Sequence, residues 1–156
     1  MKTTADTARE SAQYLTAYVN GHYIGVAIRS IQDVIGPQAL TKIPRARHAI
    51  AGVLNLRGRI VTAIDMHERL GEPHTRGEGR DRRMGVIIEA QDELFSLLVD
   101  HVEDVMAISG DDIAEVPPTL NPLWQDVCAG VCQMEGRIMI LLDIERILDL
   151  GNAKAA

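Results

Sequence analysis

Short apolar runs broken by tight polar turns recur along the chain, too closely spaced for long helices. Gln13 to Val19 and His22 to Ile28 flank Asn20-Gly21, the strongest short hairpin signal, because a type I′ turn needs positive φ at both central residues. Ala49 to Leu54 and Arg59 to Asp65 form a second pair of apolar strands around the turn Asn55-Leu56-Arg57-Gly58. Met84 to Ala90 and Leu94 to Val99 form a third hairpin around Gln91-Asp92-Glu93. Between these lie Ser30 to Ile35, which fits a helical turn or a strand start, and Leu40 to Pro44, a short extended piece. Asp65 to Gly71 reads as a short helix, with Asp65 as N-cap, Glu68 three residues on and Gly71 as the stop. A strand over Arg137 to Leu142 and a short helix over Asp143 to Leu148 close the chain.

The pattern repeats. Residues 51–70 and 129–148 share eight identities in twenty positions, at an offset of 78, and Val102-Glu103-Asp104-Val105 matches Ile31-Gln32-Asp33-Val34 at an offset of 71. The chain is therefore read as a duplicated unit. At the turn the copies diverge: Asn55-Leu56-Arg57 becomes Gln133-Met134-Glu135, so the charge at the tip reverses. Glu72 to Arg83 has no large apolar residue and carries Pro73, Gly77 and Gly79, which marks a linker. The expected organisation is a tail over 1–12, a first subdomain over about 13–71, a linker over 72–83, a second subdomain over about 84–150 and a tail over 151–156. The fold class expected is all-β with short helices: two small five-stranded barrels related by an approximate two-fold and sharing a hydrophobic core.

Composition narrows the function more than the fold. The 156 residues are 46% hydrophobic but only 3% aromatic, so the core must be aliphatic. A net charge of −6 argues against a general nucleic-acid or anionic-membrane binder. The four arginines within 76–83 are diluted by Glu78 and Asp81. No apolar run reaches the roughly 20 residues of a membrane span, and Met1 to Ser11 lacks a secretory apolar core, so a cytoplasmic location is expected. Cys128 and Cys132 lie on one strand about 13 Å apart, too far for a disulfide, and read as reduced core residues. No catalytic motif appears, and Gly77-Glu78-Gly79 lacks the strand-to-helix setting of a phosphate cradle. The histidines are scattered; His67 reads as helix surface and Arg45, Arg47 and His48 as a solvated loop. Trp124 is expected to pack against the barrel. Neither a metal nor a cofactor is expected, and the chain is read as no enzyme.

The signature Ala51-Gly52-Val53-Leu54-Asn55-Leu56-Arg57-Gly58-Arg59-Ile60 resembles the CheW family, adaptors that couple bacterial chemoreceptors to the histidine kinase CheA. Tyr23-Ile24-Gly25-Val26, Ile31-Gln32-Asp33-Val34 and Gly136 to Ile144 extend the resemblance from about Gln13 to Leu150. It implies SH3-like barrels and a non-catalytic scaffold that binds the cytoplasmic tip of a chemoreceptor and the regulatory domain of CheA. It implies no nucleic-acid binding and no membrane insertion, with membrane-anchored arrays reached through partners. The alternative is an adaptor of a kinase array outside swimming chemotaxis. By position, Ile31, Asp33, Gly52, Arg57 and Val102 fall where the family meets its partners or shapes that surface, and Asn55, Leu56 and Gly58 complete the signature turn. Ile31 and Val102 occupy equivalent places in the repeat and are expected to flank one apolar groove. Arg57 and Asp33 fit an ion pair, a partner contact, or both. The sequence departs from the family pattern at Thr62 and His67, where Pro and Arg are usual.

Overall fold

The computed structural model describes residues 11–72 and 83–149. In chain order the strands are β1 (Ser11–Val19), β2 (His22–Ala27), β3 (Ile31–Ile35), β4 (Ile50–Leu56), β5 (Arg59–Asp65), β6 (Met84–Ala90), β7 (Glu93–Val99), β8 (His101–Ser109), β9 (Ile113–Ala114), β10 (Cys128–Met134) and β11 (Arg137–Leu142). Three short helices are α1 (Met66–Leu70), α2 (Pro122–Val127) and α3 (Ile144–Leu148). The expected hairpins all form. Each turns on two residues of positive φ, at Asn20-Gly21, Arg57-Gly58, Gln91-Asp92 and Glu135-Gly136. Ser30 to Ile35 divides into the end of a 3₁₀ turn and a strand, and Leu40 to Pro44 contributes one bridge, Thr41 to Val53.

The strands make two sheets, in the orders β8-β1-β2-β11-β10-β9 and β3-β6-β7-β5-β4. Both draw on both repeats, which corrects the expected subdomain boundaries. The second sheet collects strands from residues 31–99, so the linker lies within it; the first joins β1 and β2 to the strands after residue 100. Each repeat thus lends its first hairpin to the other. The physical reason is that four pairs cross between the repeats: antiparallel β1 with β8 and β3 with β6, and parallel β2 with β11 and β5 with β7. Parallel strands are buried on both faces and read as unbroken apolar runs, which Met139 to Leu142 and Leu97 to Val99 are. The first sheet also holds six strands rather than five, because the two-residue β9 adds to β10. Its counterpart in the second sheet is the single Thr41–Val53 bridge.

The registers coincide residue for residue. Ile50 faces Ile64 and Gly52 faces Ala63 across a bulge; 78 positions on, Cys128 faces Leu142 and Gly130 faces Leu141 across the same bulge. Ile31 faces Ile88 and Asp33 faces Ile87, as Val102 faces Ala17 and Asp104 faces Thr16. One shared core lies between the sheets. It takes Leu15, Val19 and Ile24 from the first and Ile64, Ile88 and Leu97 from the second. The helices seal it with Met66, Leu70, Trp124 and Ile147. A smaller cluster lies on the other side of each sheet, one around Leu54 and Ile87 and one around Tyr23 and Met139.

Polar groups tie the helices to the sheets. Asp65 caps α1 by accepting from the Glu68 N–H at 3.2 Å, and Gly71 ends it in the left-handed region. Arg69, almost wholly buried, donates to the Ile147 and Arg146 carbonyls at 3.0 and 2.7 Å and so satisfies the end of α3. His67 is not helix surface: it is buried, with Nε2 2.9 Å from Asp100 Oδ1 at the β7–β8 junction. Trp124 packs into the core as expected and donates its indole N–H to Glu72 Oε2 at 2.7 Å. Cys128 and Cys132 are free and buried, and burial pushes both thiols above their ordinary value. The strand over Ser11 and Ala12 shortens the expected N-terminal tail, and the rest of that tail, residues 73–82 of the linker and the C-terminal tail lie outside the described residues.

Glu72 links stability to pH. Burial works to raise its pKa, but hydrogen bonds from Asn20 and Trp124, with His22 beside it, outweigh burial and hold it below 4.5. A depressed folded-state value adds stability that is complete above the unfolded value and lost as pH falls through the folded one. Glu72→Gln should cost about 1–2 kcal/mol at pH 7 and flatten the acid limb of a urea-midpoint profile below about pH 4.5. An unchanged acid limb would remove Glu72 from that role.

Candidate functional site

The signature turn stands at the tip of the β4–β5 hairpin. Its sequence dictates its shape: Asn55 Oδ1 accepts from the Gly58 N–H at 3.0 Å, closing the turn while Arg57 and Gly58 take φ of 53° and 85°. Leu56 turns back and packs half-buried against the smaller cluster of the second sheet. Arg57 turns outward, its side chain 77% exposed. Its Nη2 lies 3.3 Å from Oδ2 of Asp33 on β3, the edge strand of the same sheet. The other Asp33 oxygen accepts from the Val34 N–H at 2.8 Å, which fixes the carboxylate. The expected ion pair therefore forms at the surface.

Gly52 works from within. Its φ of 153° sits at the β4 bulge, and a Cβ there would lie 2.7 Å from the Thr41 carbonyl oxygen. That carbonyl accepts from the Val53 N–H, while Val53 accepts from Thr41, both at 2.8 Å. Gly130 repeats the arrangement at a φ of 158°, against Ile113 and the Ala114 carbonyl. Gly52 thus lets the segment over 40–43 lie on β4 and supports the tip from below.

Ile31 lies on β3 and Val102 on β8. Both are half-buried and pack on the shared core, each on the edge strand of its own sheet. They belong to the seam, because their partners Ile88 and Ala17 are buried in that core. A cleft of about 500 Å³ opens elsewhere, under the segment over 36–48, and includes neither residue. The site brought together is Asp33, Asn55, Leu56, Arg57 and Gly58 with Gly52 beneath; Ile31 lies two residues from Asp33 on the same strand, and Val102 holds the equivalent place on the other sheet.

The sequence aligns with a CheW-like domain over residues 13–151. The chain belongs to the CheW-like domain family. It is 28% identical over 131 residues to the chemotaxis protein CheW of Rhizobium meliloti, covering 84% of this chain and 83% of that one. To chemotaxis protein CheW of Thermotoga maritima it is 26% identical over 149 residues, covering 96% and 95%. The crystal structure of the scaffolding protein TtCheW from Thermoanaerobacter tengcongensis superposes with a TM-score of 0.79 at 24% identity, covering 89% of this chain and 93% of that one. That likeness establishes the fold.

A second polar constellation of this CheW-like domain was missed in the sequence. Arg137 donates to the Tyr18 hydroxyl, lies 3.9 Å from the Tyr23 ring centroid and reaches Glu103 at 3.7 Å. Tyr18 stacks on His101 at 4.6 Å. Burial works to lower the Arg137 pKa, but the Tyr18 hydroxyl and the ring and carboxylate charges around it raise it overall. Arg137 repeats Arg59 at the offset of 78, yet its partners come from β1, β2 and β8, which no local spacing brings near.

The two signature glycines separate by denaturation. Gly58→Ala meets open space and should cost only the backbone term, about 1 kcal/mol. Gly52→Ala adds the clash with Thr41 and should cost about 2–3 kcal/mol. Equal losses in urea melts would show that the bulge tolerates a side chain.

Proposed function

We propose that this chain is a non-catalytic adaptor that couples chemoreceptors to a CheA-type histidine kinase in bacterial chemotaxis. It acts in the cytoplasm and reaches the membrane through its partners. Family membership and relatives named for chemotaxis support this reading, and no described helix is long and apolar enough to cross a membrane. The observation that carries it is Arg57, exposed on a turn that two backbone constraints hold rigid, with the surface carboxylate of Asp33 as its ion-pair partner among the described residues. A surface pair of this kind contributes about 0–1 kcal/mol, so a partner's carboxylate displaces Asp33 at little cost. The guanidinium then offers a planar fork of donors suited to bidentate capture.

The remaining residues support that face. Asp33 orients Arg57 before binding, Leu56 anchors the tip, and Gly52 sets its height above the sheet. Ile31 and Val102 hold the two edge strands against the common core, so that the receptor tip and the kinase regulatory domain meet surfaces fixed relative to one another. Glu135 on the matching turn presents the opposite charge, which makes the two ends of the molecule unlike in partner choice.

Arg57→Glu should leave the circular dichroism spectrum and the urea midpoint within about 1 kcal/mol of wild type. The same variant should fail to co-sediment with receptor cytoplasmic fragments and kinase, and should leave kinase activity at the receptor-free level. Activation equal to wild type would exclude Arg57 from the contact.

A further inference from the structure

The cleft under the segment over 36–48 is floored by Gly85, Ser96 and Leu98 of β6 and β7 and walled by Leu40 and Leu54. It includes neither Arg57 nor Asp33, so the adaptor face does not account for it. The cleft is partly open to solvent and measures about 500 Å³.

The duplication provides an internal control, because the registers match position by position. In the first sheet the space over Gly25 is filled: a Cβ there would lie 2.6 Å from Met139 Sδ and 2.9 Å from Leu141 Cδ2. The counterparts in the second sheet are Val61 and Ala63, both shorter. Tyr14 of β1, packed on the cluster around Tyr23, has Gly85 as its counterpart. The cover differs as well. β8 runs on to Ser109 and buries Ile108, whereas its counterpart β3 stops at Ile35, before Gly36-Pro37. Bulk is therefore missing from floor and lid of one copy only.

Polar groups occupy the emptied copy. Ser96 stands where the first sheet has Gly25, and its hydroxyl is fully buried with no hydrogen-bond partner among the described residues. A buried hydroxyl without a partner destabilises the fold unless something bound there satisfies it. At the mouth, Lys42, Arg45 and Arg47 line the cleft and are exposed, while the lining carboxylates Asp65 and Glu68 are engaged by Arg83 and His48. Arg45 is held at a φ of 63°, a left-handed conformation unusual for a bulky residue.

We propose that this cleft binds a small organic anion. Its acidic head meets the cations at the mouth, its apolar body lies along Leu40, Leu54 and Leu98, and a polar atom at its inner end hydrogen-bonds to Ser96. The serine hydroxyl both donates and accepts, so the inner group is either an acceptor or a donor. The class that fits is a short carboxylic or sulfonic acid with an apolar middle. Such a ligand would hold the segment over 36–48 against β4 near the base of the signature hairpin, and its site would exist only in this half of the duplication.

The probe is 8-anilinonaphthalene-1-sulfonate, which has an anionic head, an apolar body and an N–H, with hexanoate as competitor. Wild-type protein should give a saturable one-to-one rise in fluorescence that hexanoate reverses. The double variant Ala63→Leu with Ser96→Gly installs the residues of the first sheet, and should weaken binding at least about tenfold. Arg45→Glu with Arg47→Glu, on exposed residues, keeps the test open if the filled variant does not fold, and should weaken binding by about threefold or more. Absence of saturable binding, or equal binding by the folded filled variant, would overturn the proposal, as would indifference to both charge reversals. Kinase coupling is not read, so failure of the adaptor reading would leave these outcomes unchanged.

Discussion

Everything in this molecule depends on the strand pairs that join one repeat to the other: antiparallel β1 with β8 and β3 with β6, and two parallel pairs. β2 pairs with β11 and β5 with β7, and each pair is the only parallel contact in its sheet. Without them, each repeat would keep its hairpins but lose the partner that completes its sheet. A single copy of roughly 70 residues is marginal alone, and the exchange turns two such units into one core. The helices then close that core from the open side, with Trp124 and Met66 buried and Arg69 holding the end of α3. Such pairing is long-range in sequence, so folding waits on distant segments meeting rather than on the local hairpins.

A frame of this kind separates shape from chemistry. All four hairpins turn through two residues of positive φ, and the bulges at Gly52 and Gly130 recur in register. Because backbone hydrogen bonds fix these features, the tip residues vary without disturbing the sheets. Arg57 and Glu135 occupy the same place on equivalent turns and differ in sign. The cleft follows the same logic inward: Leu141 and Ala63 share a register position but differ in volume, and the cleft lies in the sheet with the smaller residue.

The parts legible in the sequence were those set by near neighbours. Asn20-Gly21 marked a hairpin, Asp65 and Gly71 marked the ends of a helix, and the eight identities marked the duplication. The strand exchange was not legible, because Ile24 and Ile140 have no turn between them to betray their pairing. His67 looked like surface because its partner, Asp100, arrives from the far end of β7. Asn121-Pro122 carries an N-cap and first-turn signal for α2, but it stands among prolines that favour a loop, and no helix was read there. In the candidate site, the Arg57–Asp33 pair was foreseen, whereas burial of Ile31 and Val102 in the seam was not. Both lie on strands of mixed polarity, where only the opposite strand decides which face is covered.

The charge of the whole chain limits how the tip can act. With a net charge of −6, the molecule repels an acidic partner at long range. The attraction of Arg57 is screened beyond roughly 8 Å in physiological salt, so it does little to draw partners in. In the proposed adaptor role it would act at contact, after the surfaces have met, by rewarding a carboxylate placed opposite the turn. Asp33 already restrains the Arg57 side chain, so less rotamer freedom is lost on binding than for an unpaired arginine. A rigid turn with one restrained cation, on a chain of net negative charge, therefore favours discrimination between partners over speed of encounter.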